Sequence, residues 1–199
     1  METKFEMSLT GKMNFFLGLS IRKSSEGIFI NQDAYKKSLL KKFRMMGDSK
    51  FKVPMAFRNN LTPSLDKPTA NITLYHQMIG SLLYLTSSRP DIMFAVCYCA
   101  KYQANPREPH ITAVKNIFRY LKRTKSLGLW YPSGLGFFLQ AFLDVDLGGC
   151  GLDWKSTSGG CQLLDGKLVS WQSRKKTCVS LSVAEAECIA AASCTSQII

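Results

Sequence analysis

Gly160-Cys161-Gln162-Leu163-Leu164-Asp165-Gly166-Lys167-Leu168-Val169-Ser170-Trp171 reads as two short strands joined by Asp165-Gly166. A two-residue hairpin needs positive φ at both turn positions, and Asp-Gly supplies it. The pair therefore predicts an antiparallel sheet. Upstream, Leu129-Trp130-Tyr131 and Phe137 to Val145 have the aromatic and β-branched make-up of further strands. Downstream, Ser182-Val183-Ala184-Glu185 has the spacing of a capping box. Ser182 accepts from the backbone while Glu185 reaches back to it. An alanine-rich helix should follow and run to the end of the chain.

Before Ser126 the pattern is different. Met13 to Ile21 is apolar and aromatic, Ser24-Ser25-Glu26-Gly27 interrupts it, and Ile28-Phe29-Ile30 follows, which predicts a β-hairpin. Asp33 is placed to cap a helix with Tyr35, Leu39, Leu40, Phe43 and Met46 on one face. Lys37, Lys41, Lys42 and Arg44 take the other face. Lys52 to Asn71 is rich in Pro, Asn and Thr without periodicity and reads as a loop. Two apolar helices are expected over about Leu74 to Ser88 and Pro90 to Ala104, with Asn105-Pro106 ending the second. Glu108 to Lys125 is the clearest amphipathic helix. Ile111, Val114, Ile117, Phe118 and Leu121 form one stripe, and Lys115, Arg119, Lys122 and Arg123 cluster beside it. The change near Ser126 divides the chain into residues 1–125 and 126–199, an α+β organisation.

The charge is lopsided: 26 Lys and Arg against 14 acids give +12. Such an excess points to a polyanionic partner, because each phosphate neutralised releases condensed counterions. Solubility accounts for part of it. No apolar run is long enough to span a bilayer. Met1-Glu2-Thr3-Lys4 lacks the layout of a signal peptide, so a soluble intracellular chain, cytoplasmic or nuclear, is expected. The 7 cysteines have no framework or zinc spacing, and His76 and His110 are far from them in sequence. They read as buried free thiols.

One acidic constellation stands out. Asp144 and Asp146 are two apart on a predicted strand, so both leave the same face. Glu187 lies on the helix that follows, from which it can be aimed at Asp144. Clustered carboxylates are hard ligands suited to Mg²⁺, and paired Mg²⁺ ions cleave phosphodiesters. By themselves, however, Asp-x-Asp before Gly148-Gly149 is more often turn chemistry, and Glu187 more often a solvated helix residue.

Several motifs in register resemble the Pol polyproteins of copia-type retrotransposons. Phe5-Glu6-Met7, Asn14-Phe15-Phe16-Leu17-Gly18 and Gly27-Ile28-Phe29-Ile30-Asn31-Gln32 are similar to the reverse transcriptase just after its catalytic hairpin. Met78 to Thr86, Arg89-Pro90-Asp91-Ile92 and Arg119-Tyr120-Leu121-Lys122 continue the match. Leu143-Asp144-Val145-Asp146, Lys155-Ser156-Thr157-Ser158-Gly159, Val169-Ser170-Trp171 and Ala184-Glu185-Ala186-Glu187 resemble the RNase H region. The resemblance covers essentially the whole chain.

It implies a hairpin-plus-helices, thumb- and connection-like region over 1–125. The N-terminal half of an RNase H-like domain follows over 126–199, a three-stranded antiparallel sheet with one helix. It also implies that Asp144 and Glu187 are two of four catalytic, Mg²⁺-binding carboxylates. Phe16 and Gly18 would belong to a hairpin that steadies the primer strand. Lys115, Arg119 and Lys122 would contact phosphates of an RNA–DNA hybrid or duplex, with the rest of a Pol polyprotein as a further partner.

There are departures. No Asp-Asp pair of the polymerase signature occurs in these 199 residues; it is expected before Met1. The strand and helix carrying the other two carboxylates are expected after Ile199. Leu147 replaces a common aromatic, and Arg123 a usual glycine. The expectation is a fragment, inactive by itself, that retains template–primer binding. An active Mg²⁺ nuclease and a protein-interaction segment remain the alternatives.

Overall fold

The computed structural model describes residues 13–47, 50–56, 61–124, 126–134 and 136–198. It opens with β1 (Phe15–Phe16) and β2 (Leu19–Lys23), antiparallel with Phe16 opposite Leu19. Between them Leu17 and Gly18 turn at φ 45° and 74°. Glycine adopts that region freely, whereas leucine does so at a steric cost. β3 (Gly27–Asn31) returns along β2. The segment expected as one strand over Met13 to Ile21 is thus itself folded back at Leu17-Gly18.

β4 (Leu129–Pro132) pairs with β3, giving a four-stranded sheet of order β1-β2-β3-β4. The strand expected to open the second unit belongs to the first sheet. Gly128 permits this. A Cβ there would lie 2.2 Å from the Ile30 carbonyl oxygen, so a larger residue would push the strand away. A further strand also gives a hairpin, marginal alone, the partners it needs.

The helical core follows from apolar stripes. α2 (Ile72–Leu85), α3 (Met93–Ala100) and α4 (Glu108–Arg123) bring together Tyr75, Ile79, Leu82, Val96, Val114, Ile117 and Phe118, all fully buried. The Tyr75 hydroxyl donates to the Cys99 carbonyl at 2.8 Å, closing α2 onto α3. The predicted stripe of α4 is the one that is buried. A 3₁₀ turn, Pro90–Ile92, begins the approach to α3, which stops at Ala100, short of the expected Ala104.

α1 (Asp33–Lys42) differs in detail from expectation. Gln32 is its N-cap, without a side-chain capping bond. Asp33, the first helical residue, instead holds Lys36 Nζ at 2.6 Å and accepts from Ser126 Oγ at 3.1 Å. The helix ends at Lys42 and Arg44 takes φ 55°, so Met46 leaves the apolar stripe and is exposed. Met1 to Lys4, Phe5-Glu6-Met7, Lys125 and Ile199 lie outside the described residues.

β5 (Leu139–Val145), β6 (Thr157–Leu164) and β7 (Lys167–Lys175) form the second sheet, antiparallel and in sequence order. Asp165 and Gly166 make its hairpin at φ 52° and 73°. α5 (Val183–Thr195) packs on β5 and stops short of the chain end. Ser182 Oγ accepts from the Glu185 N–H at 3.2 Å. The Glu185 carboxylate reaches past Ser182 to the Leu181 N–H, at 2.7 Å.

The second sheet is docked on the rest of the chain at three points. Trp171 Nε1 donates to the Thr86 carbonyl at 3.0 Å, and the Tyr131 hydroxyl to the Leu168 carbonyl at 2.9 Å. Lys101 Nζ donates to Thr157 Oγ1 at 2.6 Å. α3 therefore lies against β7, on the face that carries Trp171. Gln162, one residue on from the Trp171 partner Cys161, faces α5, where its amide meets Cys194 Sγ at 3.5 Å.

Candidate functional site

Asp144 is the last residue but one of β5, an edge strand of this sheet, and lies opposite Gly159. Strand alternation puts it on the side of Phe142 and Cys161, away from α5. It nevertheless lines one surface cleft of about 300 Å³ with Glu187, together with Leu143, Val145, Cys188 and Ala191. Both residues line this cleft at the outer side of β5, which among the described residues pairs only with β6. Oδ1 of Asp144 accepts from the Val145 N–H at 2.9 Å.

Asp146 does different work. Its Oδ1 accepts the Thr157 N–H, and its own N–H donates to the Thr157 carbonyl at 3.1 Å. These bonds close the loop between β5 and β6, the turn chemistry that Asp-x-Asp allows. Among the described residues no three His, Cys, Asp or Glu side chains are grouped to hold a metal ion. Asp144 and Glu187 are hard oxygen donors on one cleft. They fit a single hydrated Mg²⁺, an ion commonly held by one or two carboxylates with water and phosphate completing the shell.

On the other face, α3 and the sheet enclose a groove of about 610 Å³. Met93, Phe94, Phe142 and Trp171 line it, together with Asp144 and Asp146. No periodicity pointed to this groove, because two elements far apart in sequence build it.

The basic residues beside the stripe of α4 are less free than their spacing implied. Lys122 Nζ donates to the carbonyls of Met46 and Gly47, closing the chain after α1. Arg119 donates to Asn116 at 2.6 Å and lies 5.5 Å from the Phe51 ring centre. Lys115 is half-exposed, and Arg123, Lys37 and Lys41 are exposed. At the hairpin, Phe16 is exposed beside Leu17, and Tyr84 donates its hydroxyl hydrogen to the Leu17 carbonyl. A Cβ on Gly18 would come within 3.0 Å of the Tyr84 hydroxyl oxygen. Sequence reasoning did not single out Lys101; nothing but its tertiary contact with Thr157 marks it.

Among the described residues no helix is long and apolar enough to cross a membrane. No family model and no solved structure matches the chain. Curated proteins do. An uncharacterized mitochondrial protein of Arabidopsis thaliana is 29% identical over 94% of this chain and 78% of its own length. The retrovirus-related Pol polyprotein from transposon RE1 of the same plant is 32% identical over 92% of this chain. That from transposon TNT 1-94 of Nicotiana tabacum is 32% identical over 94%. The chain spans 13% and 15% of those two polyproteins. It belongs to the retrovirus-related transposon Pol polyproteins.

Proposed function

We propose that this chain is a template–primer-binding portion of a copia-type Pol polyprotein. The first sheet and α1–α4 correspond to a thumb- and connection-like region. The second sheet with α5 corresponds to the opening part of an RNase H-like domain. The observation that carries this reading is the shared cleft of Asp144 and Glu187, one from an antiparallel edge strand and one from the helix packed on that sheet. The net charge of +12 supports a phosphate-rich partner. The exposed tip Phe15-Phe16-Leu17, tied down by Tyr84, supports a hairpin that touches a primer strand.

Asp144 and Glu187 would hold the cation, and Asp146 would keep the end of β5 in place. A bound Mg²⁺ would polarise a phosphodiester and stabilise charge on its oxygens. Cleavage by the two-metal route needs more carboxylates than this pair. Residues 1–199 by themselves, whatever flanks them in a longer polyprotein, therefore bind hybrid without cutting it.

A labelled RNA–DNA hybrid titrated with residues 1–199 tests this. Affinity should fall with salt, with a log–log slope of about 0.9 for each phosphate neutralised on a duplex. Binding without salt dependence would favour a protein-interaction segment. Cleavage in Mn²⁺ or Mg²⁺ that disappears in Asp144→Asn would show a working nuclease and sink the inactive reading.

A further inference from the structure

Lys101 is the C-cap of α3, where the chain turns away from the helix, and it does not behave as a solvated lysine. It is half-buried, its Nζ lies 4.9 Å from the Tyr98 ring centre, and it donates to Thr157 Oγ1 at 2.6 Å. Burial pushes its pKa down, while Cys150 and Asp146 nearby pull the other way. Its partner is equally constrained: Thr157 is 6% exposed. The Thr157 backbone brackets Asp146 with two hydrogen bonds, and Asp146 directly follows β5.

The intervening loop is anchored to the same helical side. Cys150 is fully buried. A Cβ on Gly151 would sit 3.2 Å from the Leu61 carbonyl oxygen and 3.6 Å from the Tyr102 hydroxyl oxygen. Lys175 Nζ holds Asp153 at 3.0 Å. One end of the edge strand is thus tied to the helical half through the Lys101–Thr157 hydrogen bond and the packing of Gly151 against Leu61 and Tyr102.

We propose that Lys101 is a positioning residue for the Asp144–Glu187 cation site, acting through Thr157 and Asp146 on the end of β5. The proposal rests on reading Asp144 and Glu187 as cation ligands. Among the described residues β5 is paired on one side only, so its end is free to fray wherever its loop is not held. Mg²⁺ demands near-octahedral geometry. A carboxylate held within about 0.5 Å of its productive place keeps that geometry, and a fraying strand end does not. The helical half therefore sets the affinity of a site to which it contributes no ligand.

The test uses residues 1–199 and Mn²⁺, followed by paramagnetic broadening of the Asp144 and Glu187 amide signals. Lys101→Met should weaken Mn²⁺ binding about tenfold, as removal of a supporting partner does at metal sites, and Lys101→Arg should restore most of it. Thr157→Val, which deletes only the acceptor, should reproduce the weakening, and combining it with Lys101→Met should add little. Lys167→Met is the comparator. It removes a 2.7 Å bond from Nζ to the Gly134 carbonyl at the far end of the sheet and should leave Mn²⁺ affinity unchanged.

Unchanged affinity in both Lys101→Met and Thr157→Val overturns the role of Lys101. Tighter binding in Lys101→Met overturns it too, showing that the site senses only the lysine charge. Equal weakening in Lys101→Met and Lys167→Met would reduce Lys101 to general stability and refute positioning. If Mn²⁺ broadens neither Asp144 nor Glu187 in the unsubstituted chain, the cation reading itself fails and the role of Lys101 goes with it.

Discussion

Arg89 donates to Asp91 through both Nε and Nη2, at 2.8 and 2.6 Å, while the Tyr120 hydroxyl donates to the same carboxylate at 2.7 Å. Nη2 also reaches Thr124 Oγ1 at 2.8 Å. The Arg-Pro-Asp motif therefore rivets the 3₁₀ turn to the end of α4. Arg89 is almost wholly buried, so removing its partner strands a charge. Asp91→Ala should cost about 2–3 kcal/mol in urea unfolding, near the lower end for a broken buried pair because Asp91 retains some exposure. Arg89→Leu should cost less, since the Asp91 carboxylate left behind keeps some exposure and the hydrogen bond from Tyr120.

The same pair predicts an acid limb. Burial raises the Asp91 pKa, but the hydrogen bond and charge of Arg89, with Tyr120, outweigh it and hold the carboxyl below its ordinary value. The folded state thus binds this proton less readily than the unfolded one. Its stabilisation should be complete above about pH 4 and disappear as pH falls through the folded pKa. Asp91→Asn should flatten that part of a stability–pH curve. An unaltered curve would mean that other carboxylates govern acid unfolding.

Lys115 and Lys122 should separate binding from stability. Lys115→Gln with Arg123→Gln should reduce the salt slope of hybrid binding by about 1 for each phosphate that is no longer neutralised, without shifting the thermal midpoint. Lys122→Gln should instead lower stability by about 1 kcal/mol, because two carbonyls lose a charged donor. If Lys122→Gln leaves stability intact and flattens the slope, that lysine faces nucleic acid and its intramolecular bonds are incidental.

Leu17 and Gly18 give opposite expectations at one turn. Leu17→Gly should stabilise the hairpin by about 1 kcal/mol, relieving positive φ. Gly18→Ala should destabilise it by a similar amount, since the added Cβ also crowds Tyr84. Amide exchange of Leu19 and Ser20 is the readout, and equal protection in all three proteins would refute the strained-turn account.

Residues 133–199 produced alone should be insoluble or molten. They would lose the bonds of Trp171, Lys101 and Tyr131 to the other half, and expose the groove wall. Exposed Phe137 and Phe138 just before β5, and Phe142 within it, would add to an edge strand paired on one side among the described residues. A cooperative thermal transition with dispersed amide signals would contradict this.

Legible in the sequence is whatever depends on neighbouring residues. The stripe of α4, the Asp165-Gly166 turn and the Ser182 cap are local patterns with local causes, and each lies where its spacing puts it. The division near Ser126 rests on the same kind of signal, a change in residue pattern. Such a signal does not register that Leu129–Pro132 pairs with a strand about 100 residues earlier.

The amino-acid sequence by itself determined the periodicity, the turn chemistry, the positive charge and the family. Tertiary structure alone decided which polar side chains are spoken for. Lys122 and Asp33 carry the residue types of a phosphate contact and a helix cap, yet their hydrogen bonds go to Met46 and Gly47, and to Lys36 and Ser126. Lys101 and Thr157, 56 residues apart, become partners in the same way. The physical reason is range. Backbone dihedrals and side-chain periodicity act over a few residues and leave a mark in the sequence. A hydrogen bond between distant side chains forms only after the core has brought its ends together, and leaves none.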